Sequence, residues 1–128
     1  MGSLKEADDA AKAAQKTPNR IPLAYIEDQI SDEFLLNPPD HLQHVTVLMV
    51  ETKNGWIVIG KSAPADPENF NRELGLAFAR EDAIRQLWPL YAFALKCDMI
   101  EQSVMDDVRD LYENRQADAA GEAPSEPA

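Results

Sequence analysis

Two runs, Val45-Thr46-Val47-Leu48-Met49-Val50 and Trp56-Ile57-Val58-Ile59, stand on either side of Lys53-Asn54-Gly55, and their reading decides the fold. β-Branched and aromatic residues dominate both, which suits the pleated, half-buried surface of a strand. Asn-Gly supplies the two positive-φ residues of a tight type I′ turn, so the segment reads as a β-hairpin. Both hairpin faces are apolar, with Val45, Val47 and Met49 on one and Leu48, Val50 and Ile57 or Ile59 across the other. A two-stranded ribbon alone is marginal in water. One face can be covered by helix, and the second needs the N-terminal helix or another copy of the chain.

Helical signals flank the hairpin. Downstream, Asp66 suits an N-cap, Pro67 a first helical position and Glu68 the positive end of the dipole. Phe70, Leu74, Ala77, Phe78, Ile84, Trp88, Tyr91 and Leu95 then recur on one helical face, and Pro89 predicts a kink or a split. A last amphipathic helix follows, with Ile100, Val104, Val108 and Leu111 in register, Met105 and Tyr112 widening the stripe, and acids outside. Upstream, Pro22, Leu23, Ile26, Ile30 and Phe34 predict a short helix ended by Asn37, Pro38, Pro39 and Asp40. The expected class is α+β: a β-hairpin packed on a long kinked helix, with a short N-terminal helix and an acidic C-terminal helix.

Composition bounds the rest. The 128 residues, with net charge -11 and 45% hydrophobic side chains, hold one small domain. Residues 1–17 and 116–128 lack the large apolar side chains that offset ordering entropy, so the first reads as a disordered or weakly helical tail and the second as a disordered one. The single α+β domain spans 18–115, its acidic amphipathic helix 98–115. No apolar run is long enough to cross a bilayer, and nothing near Met1 has the pattern of a signal peptide. A lone cysteine, Cys97, excludes an internal disulfide framework and points to a reducing cytoplasm. A pI near 4.4 argues against direct nucleic-acid binding, which needs clustered Lys and Arg.

The residues that could carry chemistry are few. Glu81 falls near the centre of the apolar stripe, where a carboxylate must be paired or protonated, and Arg85 one turn later and Arg80 beside it offer partners. That group reads either as a structural ion pair or as a polar anchor for a ligand, with Arg80 or Arg85 meeting phosphate and Trp56 or Trp88 stacking on a base. His41 and His44 lie in a loop, and no second cluster completes a metal site. There is no Gly-rich phosphate loop and no nucleophile elbow. The expectation is therefore no enzyme, no metal and no cofactor. From Asp98 to Glu126, nine acids stand against Arg109 and Arg115. They read as a solvated face, or as a decoy presenting Asp106, Asp107 and Asp110 to a nucleic-acid-binding groove.

One family shares these pieces. Val45-Thr46-Val47-Leu48 before Lys53-Asn54-Gly55-Trp56, Gly60-Lys61-Ser62-Ala63, Asp66-Pro67-Glu68-Asn69-Phe70, Glu73-Leu74-Gly75, Ala79-Arg80-Glu81-Asp82-Ala83 and Leu87-Trp88-Pro89-Leu90 together resemble the phage gene-49/gene-66 family. The likeness runs over residues 21–96. Pro64 stands where the family often has cysteine, and Trp56 where phenylalanine is common. The resemblance implies a non-structural phage accessory protein acting in the host cytoplasm, and it supplies no catalytic set. The expected function is that of a homo-oligomer inhibiting a host or defence function, by sequestering a small nucleotide-type signal or blocking a host protein. The alternatives are an acidic DNA mimic that inhibits a nucleic-acid-binding defence complex, and an accessory subunit of phage replication or transcription.

Overall fold

The computed structural model describes residues 3–121, and the chain divides into two compact units, Met1–Phe93 and Ala94–Ala128. Strand β2 (Thr46–Thr52) lies between β1 (Ile30–Leu35) and β3 (Ile57–Ser62) in an antiparallel sheet ordered β1-β2-β3. Helices α1 (Leu4–Ala14) and α2 (Leu23–Gln29) precede the sheet, and α3 (Arg72–Gly121) follows it. The class is α+β.

Strand alternation decides which side of the sheet is dry. Along β2, Thr46, Leu48, Val50 and Thr52 are buried while the residues between them are half-exposed. With Val58 they form a core with Ala79, Ala83, Ile84 and Leu87 of α3, Ile26 of α2 and Leu4 of α1. The helix positions that meet the sheet are small because the backbones come close. A Cβ on Gly60 would collide with the carbonyl oxygen of Ala79 and stand 2.9 Å from the amide nitrogen of Ala83. One on Gly75 would meet Thr46 Oγ1 at 2.5 Å. Overlap at that range exceeds what a packed interior absorbs without shifting.

The edges of the sheet are blunted. Asp82 Oδ2 accepts from the Lys61 amide (2.9 Å), and Gln86 Nε2 donates to the Ile59 carbonyl (2.7 Å), so side chains of α3 occupy main-chain groups along β3. On β1, Asp32 Oδ1 accepts from the Glu33 amide (2.9 Å).

Several sequence expectations are corrected. The helix expected through Phe34 ends at Gln29, and Ile30–Leu35 is a strand paired with β2 through Leu35↔Leu48 and Phe34↔Met49. A spacing of four fits one helical turn and also two strand repeats, so Ile26, Ile30 and Phe34 match both periods. The open edge of the hairpin decided between them. The turn is not type I′: Gly55 alone has positive φ (+85°), and its amide closes a turn onto the Thr52 carbonyl (2.9 Å). The next pair, Thr52 with Trp56, makes this the three-residue form in which a left-handed glycine resets the strand. Ile57 and Ile59 lie opposite Glu51 and Met49, on the face away from Leu48 and Val50.

Asp66 caps only the short 3-10 turn Pro67–Asn69, and α3 starts after Asn71, whose Oδ1 accepts from the Leu74 amide (3.0 Å). Leu74 and Phe78 are exposed rather than central to the core face. Pro89 neither ends nor divides α3, which also contains the expected separate acidic helix and residues 116–121 of the expected tail. Residues 122–128 of that tail lie outside the described residues.

The expected N-terminal tail contains α1, capped by Ser3 and docked through Leu4. Asp8 takes Arg20 (2.7 Å) and the Leu23 amide (3.0 Å), and these bonds hold its carboxyl below the usual aspartate range.

Candidate functional site

The residues named for ligand binding are distributed among different elements. Arg80 reaches away from α3 to two carboxylates, Glu33 of β1 (3.0 Å) and Glu27 of α2 (3.3 Å). It ties three elements together in the way of a structural residue. Glu81 pairs with Arg85 one turn later at 3.6 Å, and its side chain is half-buried. It does not sit in the core, because the facing positions are Gly75, Ala79 and Ala83. Trp88 Nε1 donates to the Ile21 carbonyl (3.0 Å) and the ring packs against the core, so it belongs to the seam of α3 with the chain before α2. Tyr91 and Tyr25 meet edge to face beside it, ring centres 5.7 Å apart. Trp56, at the end of the hairpin turn, is exposed. Arg85 and Trp56 are thus the most open members of the set, and they stand on different elements.

Two open surfaces stand out among the described residues of the first unit. The first is the sheet face turned away from α3. Register places Phe34, Met49 and Ile59 side by side across all three strands, with Phe34 44% and Ile59 47% exposed. Leu36, whose amide donates a hydrogen bond to the Val47 carbonyl (2.9 Å), and Ile57 extend the patch. Contiguous apolar surface of this kind marks interaction sites.

The second is an open cleft of about 380 Å³ at the end of the sheet. Leu35, Leu36, Val45, Phe70 and Leu76 give it an apolar wall, and Arg72 is its one charged lining residue. Among the described residues Arg72 has no carboxylate within salt-bridge distance. Nothing in the sequence singled out that cleft, since its walls bring the end of β1 and the connection from β1 to β2 against Phe70 and the start of α3, and β1 read as helix.

In the second unit, Asp106, Asp107 and Asp110 are exposed, with Asp106 engaged by Arg109 and by Gln102 Nε2 (3.0 Å). Among the described residues no group of three or more His, Cys, Asp or Glu is placed to hold a metal ion. None of the described helices is long and apolar enough to cross a membrane.

Sheet and helix define a small protein of α+β class. A family model described as phage protein (N4 Gp49/phage Sf6 gene 66) family matches residues 21–99, and the chain belongs to that family. The match covers the sheet and the part of α3 that packs on it. No curated protein and no solved structure matches the chain.

Proposed function

We propose that this protein is a non-catalytic phage accessory factor that assembles with copies of itself and inhibits a host or defence function by capture. It does so by blocking a host protein or by sequestering a nucleotide-type signal. The observation that carries this reading is the bare apolar face of the sheet, Phe34-Met49-Ile59. A face of that kind is stable in water when a protein surface covers it. The polar groups of the first unit support the same reading. Arg80 is engaged by Glu27 and Glu33, which supports a structural role for it, whereas Arg85 pairs only at 3.6 Å with Glu81 and stays 45% exposed, open to a phosphate.

A second reading is favoured by the exposed acids of the second unit: a DNA mimic presenting Asp106, Asp107 and Asp110 to a nucleic-acid-binding partner. It requires capture that weakens steeply with salt and depends on those three carboxylates.

Native mass spectrometry of protein purified from phage-infected cells tests both. Capture through the sheet predicts a retained protein partner or subunit that Phe34→Lys and Ile59→Lys remove while the fold persists. A stoichiometric nucleotide released from an oligomer, lost in Arg85→Ala, identifies the sequestering form. Retention of every partner in both sheet-face variants overturns the role of that face.

A further inference from the structure

The part of α3 beyond the family-matched residues carries an apolar stripe of its own. Ile100, Val104, Met105, Val108, Leu111 and Tyr112 each leave more than half of their surface in water, from 54% for Ile100 to 69% for Leu111. A helix bearing such a stripe is normally stabilised by packing that stripe against something. Together these side chains expose on the order of 600 Å² per copy, so a pairing that also covered Met105, Leu111 and Ile100 beside its central seam would bury at most about 1,200 Å² over two copies, the lower end of specific interfaces.

The charges along the stripe favour one way of covering it. At 100° per residue, Cys97, Glu101, Val104, Val108, Tyr112, Arg115 and Ala119 fall within a sector of about 80°. The sector is centred on Val108. The two ionised residues in that sector, Glu101 and Arg115, have opposite charge and lie seven positions before and after Val108. A parallel pair of copies would set Glu101 against Glu101 and Arg115 against Arg115. An antiparallel pair centred on Val108 sets Glu101 against Arg115 twice, Val104 against Tyr112 and Cys97 against Ala119. Asp106, Asp107 and Asp110 fall outside the sector, so both acidic faces stay in water.

We propose that the Cys97–Ala119 segment of α3 pairs antiparallel with the same segment of a second copy, Val108 meeting Val108 on the two-fold axis. The pairing is independent of what the protein captures. It gives the helix an isologous surface, the arrangement that closes a symmetric dimer.

Sedimentation velocity and double electron–electron resonance on the full chain test it. Cys97 is the only cysteine and is exposed, so a nitroxide attaches without mutation. Antiparallel pairing centred on Val108 puts the two Cys97 backbones about 33 Å apart along the helix axis, eleven residues on each side at 1.5 Å. Parallel pairing puts them within about 10 Å.

Glu101→Arg and Arg115→Glu should each weaken the dimer about tenfold, and the double variant Glu101→Arg/Arg115→Glu should restore it. Val108→Asp, which brings two carboxylates together on the axis at an exposed position, should dissociate it with helicity retained. A short Cys97 distance, failure of the double variant to recover, or an assembly indifferent to Val108→Asp overturns the proposal. A chain that stays monomeric at tens of micromolar does so too.

Discussion

Gly60 shows how one side chain sets the distance between layers. Any Cβ there strikes the Ala79 carbonyl, so Gly60→Ala should destabilise the first unit by about 2–3 kcal/mol in chemical denaturation, with no polar interaction lost. Asp8 acts through charge. Its bonds to Arg20 and the Leu23 amide hold its folded-state pKa below the ordinary 3.8. A lowered carboxyl pKa contributes stability above the unfolded value and loses it as pH falls through the folded one. Protection of the α1 amides, taken as exchange relative to the intrinsic rate at each pH, should therefore fall below about pH 4, ahead of the strands, and Asp8→Asn should abolish that dependence. Neither role was legible beforehand. The sequence shows that Gly60 lacks a side chain, but the carbonyl it must clear belongs to a helix nineteen residues on. Asp8 and Leu4 sit in an alanine-rich stretch whose composition reads as tail, and one leucine with one carboxylate suffices to dock it.

Among elements, α3 behaves least as periodicity suggests. Pro89 removes an amide that would bond the Arg85 carbonyl, yet the helix runs on because the residues on either side, Leu87, Trp88 and Tyr91, are anchored in the core. Pro89→Ala should raise the midpoint of thermal unfolding, by an amount corresponding to about 1–3 kcal/mol. Arg80 joins this helix to α2 and β1 through partly exposed ion pairs, so Arg80→Ala should cost no more than about 1 kcal/mol by the same measurement. The hairpin strands were readable because strand formers, turn residues and length agreed. β1 was not, since its apolar residues repeat every four. The stripe on α3 was misplaced for a related reason: large side chains are easy to count, whereas the line Gly75, Ala79, Ala83 that faces the sheet becomes visible only when the partner backbone is in place.

For the whole molecule, α+β class and the phage family were both legible, because each rests on pieces contiguous in sequence. The cleft beside Arg72 was not, as three elements must meet to make it. The blunted edges of the sheet have a wider consequence. Val45–Val50 is the kind of low-charge β segment that, bared at an edge, templates stacking of identical chains. Here it is the central strand, and the strands beside it have main-chain groups already claimed by Asp32, Asp82 and Gln86. Backbone is the same in every protein and discriminates between none of them, whereas side-chain surfaces can be matched to one counterpart. By closing the indiscriminate route and leaving side-chain faces open, the fold confines association to surfaces that match those faces.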